Sequence, residues 1–350
     1  MSKTLLHILN TGSYSGAENV VITIIEGFRK YYPNYFSCVY VSIDGTIRDV
    51  LKKHNIIFEP ISDMTISEII RVKKKYKPDI IHAHDFTASI ICAAAAGKVP
   101  VISHIHNNSP WIKRYCLNSF VYGLSCIKYK KILGVSTSVF DEYVFGRFIR
   151  RKSSVIGNPI DISKIRILSE NADINEGYDV VFLGRLTVSK DPLRFIDIIA
   201  GVKEKYPEIS AVMIGDGELR QEVEKKISYL GLGKSIALKG FVSNPYGILK
   251  NSKMLCIPSK WEGFGLAAVE ALALGKPVLA SPVGGLPEIV NNNCGGLCKD
   301  KQEFVDLILD FIYDKQRYAM ISFAANKRAE ELNNIKFYLE KIINIYIDVD

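Results

Sequence analysis

Residues 179–186, DVVFLGRL, set four apolar residues, Val180 to Leu183, behind an aspartate and stop them with Gly184 and Arg185. A run this short, β-branched and closed by glycine reads as a strand buried on both faces, with its cation at the carboxyl end. The pattern returns downstream in SAVMIGDG (210–217), SIALKGF (235–241), KMLCIPS (253–259) and KPVLASP (276–282). Upstream it appears as TLLHIL (4–9), FSCVYVSI (36–43), DIIHAH (79–84) and VPVISHIH (99–106), alternating with amphipathic segments at 17–30, 46–54 and 86–97. Such alternation predicts βαβ units and parallel sheets, an α/β fold. Between the two series lie NPID (158–161) and the polar SENADINEGYD (169–179), so the boundary is expected within 157–177. The expected domains are therefore 1–160 and 161–332. The segment 333–347, apolar at helical spacing, can pack on either.

A chain of 350 residues, 48% hydrophobic and 23% charged, exceeds the size at which single cores divide. The start, MSKTLLHILNTG, lacks the apolar core and cleavage site of a signal peptide and reads as a first buried strand. No stretch reaches the roughly 20 apolar residues of a membrane span: FTASIICAAAAG (86–97) is too short, and 263–283 is broken by Glu270 and Lys276. Seven scattered cysteines suit a reducing compartment; Cys294 and Cys298 have no second pair to complete a zinc site and read as loop or core residues. The net charge of +8 is lopsided, since residues 1–160 hold 21 Lys+Arg against 11 Asp+Glu, leaving 24 against 26 beyond. That asymmetry asks for an anionic partner on the first half, nucleic acid or an acidic membrane surface.

Open parallel sheets bind ligands outside the carboxyl ends of their strands. In FLGRLTVSK (182–190), Arg185 and Lys190 are two cations at such an edge; they suit a diphosphate clamp or are solvated loop residues. Gly215 and Gly217 in VMIGDGELR (212–220) make either a tight turn or a binding loop. SKWEGFGLAAVEALALGKPV (259–278) is more telling. Pro258 ends a strand, Gly263 and Gly265 bare the loop around Phe264, and a helix is expected from Phe264 to Leu266 onward. Free amides at a helix start form an anion site. Glu262 and Glu270 beside it would repel a phosphate, so hydroxyl donors are their natural partners. The alternative is a helix-start acid with a core-edge glutamate.

Taken in order, FLGRL…K, GDGEL, GF, PSKWEGFGLAAVEALALGKPVLASPVGGLPEIV and the NPID junction resemble the retaining glycosyltransferases of the GT-B fold that carry a Glu-x7-Glu motif, family 4. The resemblance is most specific over 178–292. It implies two Rossmann-like domains with parallel sheets facing across a cleft, and a nucleotide-sugar donor held mainly by the second. Arg185 and Lys190 would take the diphosphate, Glu262 with the Gly263 to Leu266 backbone the sugar, and Glu270 the ribose. Gly184 and Gly215 would line the donor, and TGSYSGAE would bring Gly16 to the phosphates. The resemblance also implies that 333–350 crosses back to the first domain.

Two H-x-H pairs, His82/His84 and His104/His106, each share one strand face. Four imidazoles raise a metal site, but no acidic cluster or H-x-x-x-H completes it. His106 matches the family's histidine after the strand and would meet donor or acceptor, with His82 and His104 structural. The single D-x-D, Asp348 to Asp350, reads as a frayed tail, so Arg185, Lys190 and the helix end would stand in for a metal, and no cofactor is expected. The segment 111–133, WIKRYCLNSFVYGLSCIKYKKIL, reads as a membrane-surface face or as a core helix with solvated cations. RVKKKYKP (71–78) reads as a solvated helix end, and neither segment resembles a nucleic-acid module.

The expectation is a metal-independent retaining hexosyltransferase moving a hexose or N-acetylhexosamine from a nucleoside-diphosphate sugar, UDP foremost, to a lipid-linked saccharide. It would work in the cytoplasm or at the inner membrane face, in exopolysaccharide, capsule or surface-antigen synthesis. A nucleotide-sugar epimerase or hydrolase, and a non-catalytic nucleotide-sugar-binding subunit, are the alternatives.

Overall fold

Apolar runs buried on both faces need helices above and below them, and the chain supplies these twice. The computed structural model describes residues 2–14, 16–172 and 176–349. Asp350 and residues 173–175 of the polar stretch lie outside the described residues. The chain forms two compact units, Met1–Pro159 with Asn334–Asp350, and Ile160–Asn333.

The first unit carries a seven-stranded sheet of β1 (Lys3–Ile8), β2 (Phe36–Ile43), β3 (Ile57–Ile61), β4 (Ile80–His84), β5 (Val101–Ile105), β6 (Lys131–Gly134) and β7 (Ser153–Val155). All neighbours are parallel, in the order β3-β2-β1-β4-β5-β6-β7. The second unit's sheet comprises β8 (Val180–Leu183), β9 (Ala211–Ile214), β10 (Ile236–Gly240), β11 (Met254–Ile257), β12 (Val278–Ala280) and β13 (Gly295–Leu297), again parallel and in the order β10-β9-β8-β11-β12-β13. Both orders are doubly wound and reverse beside the first strand of their unit, where ligands bind at the carboxyl edge. β3, β6, β7 and β13 were not expected. They are edge or near-edge strands of three to five residues, too short to show a period.

Helix starts follow capping chemistry. Asp191 accepts a hydrogen bond from the Arg194 amide before Pro192–Lys205, and Asp300 does so from Glu303 before Lys301–Tyr313. These two helices approach closely because Gly201 has no side chain; a Cβ there would lie 3.0 Å from Val305 Cγ2. In the first unit the terminal helix Ile335–Asp348 buries Tyr338, Leu339, Ile342, Ile343 and Tyr346. It rests on helix Gly16–Tyr31, where a Cβ on Gly27 would come within 2.6 Å of Leu339 Cδ1. The run 71–78 is more than a solvated helix end. Arg71 and Lys75 bind the buried carboxylate of Glu59 at 2.7 and 2.6 Å, and Lys73 donates to the carbonyls of Ala95 and Ala96. Burial alone pushes the Glu59 carboxyl up, but bonds from Lys75, Arg71 and Tyr76 outweigh it and bring it down to about 2.

The first unit's interior holds an unusual polar column. His7, His82, His84 and His104 are buried on β1, β4 and β5. They join His106 in two hydrogen-bonded chains: His7 to His84 (3.1 Å) to His106 (2.9 Å), and Tyr346 to His82 (2.7 Å) to His104 (3.2 Å). Burial drives all five imidazoles toward the neutral form, His7 and His106 to about 3. The unfolded chain then binds more protons below the ordinary histidine value, so stability is full above pH 6.5 and is lost as pH falls toward 3. Glu59 adds a loss only below the ordinary glutamate value of 4.5. Each buried imidazole forfeits about 1.4 kcal/mol per pH unit, so the first unit should lose on the order of 5 kcal/mol between pH 7.5 and 5.5. Denaturant titrations at those two pH values test this; equal midpoints would show that the column is not neutral and buried.

Candidate functional site

In the second unit, strands β8, β9, β10 and β11 deliver their carboxyl ends to one edge. Past β8, Gly184 and Arg185 lead into a turn in which the Lys190 amide donates to Thr187 O (3.1 Å) and Asp191 adopts the left-handed region at φ 48°. Past β11, the Lys260 amide donates to Ser189 O at 2.8 Å, stitching the loop after β11 to that turn. The stitch brings the Lys190 ammonium onto the Glu262 carboxylate, both largely buried. Arg185 is exposed and has no side-chain partner among the described residues.

Glycines set the height of the Glu262 loop. A Cβ on Gly284, at φ 58°, would fall 1.7 Å from Glu262 O, and the Gly285 amide donates to Gly263 O at 3.0 Å. Gly265 starts the helix Leu266–Ala273 at φ 104°, and no side chain caps it. The buried Phe264 anchors the loop. Ala268, Val269, Ala271 and Leu272 face the core, leaving Leu266, Ala267 and Glu270 half-buried on the other side. Glu270 accepts from the Tyr246 hydroxyl at 3.0 Å. Burial raises its carboxyl above the usual range, opposed by that hydroxyl and by the charge of Lys190. Lys190 therefore lies within electrostatic reach of both glutamates of the motif.

The two remaining glycines of this edge differ in kind. Gly215, at φ 135°, packs its Cα so closely that a Cβ would lie 2.0 Å from Gly184 O, so the backbone alone requires glycine there. A Cβ on Gly184 would meet only the Lys190 stem at 3.6 Å, ordinary contact. Packing thus explains Gly215 without a ligand and leaves Gly184 to be explained.

Gly16 and His106 belong to the first unit. Gly16 is the exposed first residue of its helix, two positions before the buried Glu18. His106 receives its placement from Asp85, whose carboxylate accepts from the His106 amide at 2.9 Å. Its Nε2 is engaged with His84, and its Nδ1 is buried without a hydrogen-bond partner. A cavity of about 360 Å³ opens beside this column, lined by Thr11, Glu18, His84, Asp85, Trp111 and Asn118 among others. Asp85 sits at φ 64°, a conformation that costs a non-glycine residue about 1 kcal/mol or more. The triads His7/His82/His84 and His84/His104/His106 hold ring nitrogens within 4.8 Å of one another, the spacing from which a metal could be gathered. At present those nitrogens bond largely to each other.

The sequence alone does not single out His7, Glu18, Asp85, Trp111 or Tyr246. Asp85 follows HAH directly at a strand end, and Glu18 closes TGSYSGAE; both signals were visible. His7 and Tyr246 carry none, because each becomes polar company only through a neighbouring strand or helix.

Three substitutions test this geometry. Gly284→Ala should cost about 2–4 kcal/mol and displace Glu262, while Gly231→Ala, at a similar φ with open space around it, should cost about 1 kcal/mol. Equal costs by denaturant titration would deny the close contact. Tyr246→Phe removes a bond that favours the Glu270 carboxylate, so its pKa should rise further, readable by carboxyl carbon-13 NMR; an unchanged or lower value would remove Tyr246 from the site.

This chain is similar to known proteins. Residues 14–164 match the model described as Glycosyltransferase Family 4, and 164–328 that of Glycosyl transferases group 1. An uncharacterised glycosyltransferase of Methanocaldococcus jannaschii is 28% identical over 61% of this chain and 58% of its own length. A UDP-Gal:α-D-GlcNAc-diphosphoundecaprenol α-1,3-galactosyltransferase of Escherichia coli is 26% identical over 83% of this chain and 80% of its own. An α-1,4-N-acetyl-D-galactosaminyltransferase of Campylobacter jejuni that extends an undecaprenol-diphosphate glycan is 29% identical over 65% and 63%. Among solved structures, Anabaena HepE in complex with UDP and glucose superimposes with a TM-score of 0.83 at 22% identity, over 98% of both chains. With two doubly wound parallel sheets and matches running from residue 14 to 328, the chain belongs to the GT-B glycosyltransferases of the family 4 type.

Proposed function

We propose that this chain transfers a hexose or N-acetylhexosamine, with retention, from a UDP-sugar to a lipid-linked saccharide during surface-polysaccharide assembly. The observation that carries the reading is the second unit's edge: one lysine within reach of two glutamates, an unpartnered arginine and an uncapped helix start. A diphosphate would draw on Arg185, Lys190 and the amides of the loop around Gly265. Lys190 would then exchange part of its bond to Glu262 for phosphate oxygens. Freed from full engagement, Glu262 accepts from sugar hydroxyls, and Glu270, already accepting from Tyr246, takes the ribose. Departing charge on the diphosphate meets the same cations, a contribution worth about 10² to 10³ in rate per donor. No metal is assigned a part.

The acceptor would occupy the first unit's cavity, whose lining of Glu18, Asp85 and Trp111 supports this with two carboxylates and a ring for a sugar face. His106, neutral and half-buried, would bond sugar through a ring nitrogen that is covered in this structure, and is suited to that rather than to proton donation. In the front-face course that accompanies retention, the leaving diphosphate takes the acceptor proton, so neutrality of His106 is no obstacle. A lipid-linked acceptor is supported by the E. coli and C. jejuni relatives, whose names specify undecaprenol-linked substrates. Work at the inner membrane face goes with it, and no helix among the described residues is long and apolar enough to cross a membrane.

Calorimetry with UDP, GDP and ADP in EDTA tests the donor site. UDP should bind without metal, and Glu270→Ala should weaken it about 10- to 100-fold. Arg185→Ala should cut turnover at least 10²-fold with an unchanged melting temperature. Binding of none of the three, or an Arg185→Ala enzyme of normal turnover, would overturn the reading. Inverted anomeric configuration in the product would overturn retention alone.

A further inference from the structure

Helix Leu117–Ser125 is amphipathic, but it faces the wrong way for a core. Its inner side is Ser119 and Tyr122, both buried: Ser119 Oγ donates to the carbonyls of Trp111 and Arg114, and the Tyr122 hydroxyl meets Ser103 Oγ at 3.0 Å. Its apolar residues fall at Leu117, Phe120, Val121 and Leu124, the i, i+3, i+4, i+7 spacing of one helix face. That face is in solvent, with Leu117 77%, Phe120 50% and Leu124 67% exposed, followed by Ile127 at 72%. Soluble proteins ordinarily turn such a stripe inward, and contiguous apolar patches left outside mark interaction sites.

The stripe does not stand alone. Phe145 touches Phe120, Tyr115 and Phe148 at ring separations of 5.0, 5.7 and 6.5 Å, and Tyr115 and Phe148 are 75% and 85% exposed. Residues 107–160 contain nine Lys+Arg and two acids. Both acids are occupied, Glu142 with Lys113 at 3.1 Å and Asp141 with Arg150 at 4.0 Å. Arg114, Lys128, Lys130, Arg147 and Arg151 are exposed and lack an ionic partner among the described residues.

We propose that helix Leu117–Ser125 and the aromatic patch at Phe145–Phe148 form the surface by which the first unit docks onto a bilayer bearing anionic headgroups. Aliphatic and aromatic side chains enter the headgroup boundary and the unpaired cations meet the lipid phosphates, the composition of an interfacial segment. Charge decides the occupant: a face with this surplus of unpaired cations disfavours a second copy of itself. The surface also adjoins the cavity, since Trp111 and Asn118 of the same segment line it. Resting on the proposed transferase reading, this places the saccharide of a membrane-anchored acceptor in the cavity while its lipid stays in the bilayer.

The test is flotation of the full chain with vesicles of phosphatidylcholine alone or with 30% phosphatidylglycerol, roughly a physiological anionic fraction. The parent should float with the anionic vesicles, lose binding as salt rises, and bind the neutral ones at least about tenfold less. Phe120→Ser with Leu124→Ser should lower flotation about tenfold or more, and Arg147→Gln with Arg151→Gln should flatten the salt dependence. Circular dichroism and UDP calorimetry on each variant check that the fold and the other unit persist. Absence of flotation, flotation unchanged in both variants, or a lipid-free dimer abolished by the Phe120 pair would overturn the docking surface. Flotation as expected without UDP binding would leave the surface standing and remove the transferase reading.

Discussion

A parallel sheet covered on both faces admits polar groups cheaply at only one place, the carboxyl edge, where its strands give way to loops. The proposed sites of this chain observe that constraint twice. In the second unit, Gly184, Arg185, Gly215 and the Glu262 loop all fall within a few residues of strand ends, while the strands themselves carry valine, isoleucine, methionine and leucine. The first unit observes it less strictly: three of its central strands carry histidines inside the sheet's cover. Hydrogen bonding of these imidazoles to one another and to Tyr346 satisfies part of their polar capacity, and neutrality removes most of the cost of burial. Tyr346 comes from the last helix, so the chain's end completes the polar interior built by its beginning.

The second unit's edge is organised by backbone before it is organised by charge. The Ser189 carbonyl holds the Lys260 amide, Gly284 and Gly285 let two loops touch, and only then do Lys190 and Glu262 meet. An ammonium already paired with a carboxylate is held in position at little entropic cost on ligand binding. It can also divide its three donors between that carboxylate and an incoming phosphate. Tyr246 does the corresponding work for Glu270, its hydroxyl opposing the upward push that burial gives the carboxyl.

Strands of four or more apolar residues were legible because burial on both faces leaves an unbroken hydrophobic run closed by glycine or proline. β3, β6, β7 and β13 were not, because runs of three to five residues at or beside a sheet edge are too short to show a period. The segment 111–133, one amphipathic element by its spacing, is three in the fold: a turn of 3₁₀ helix at Pro110–Lys113, helix Leu117–Ser125, and the start of β6 at Lys131. Helical spacing showed that it had an apolar face. It did not show which way that face would point, since direction depends on what Ser119 and Tyr122 find to bond inside.

The sequence by itself determined the α/β class, the two series of strands, the family and the residue types at the second unit's edge, because each rests on local periodicity and motif spacing. Tertiary structure alone decided that Lys190 is paired with Glu262, that Gly215 is required by the Gly184 carbonyl, that Tyr246 bonds Glu270, that five histidines share one interior, and that Leu117, Phe120 and Leu124 face water. Those are relations between residues far apart in the chain, and only packing, which settles distances and exposures at once, brings them into being.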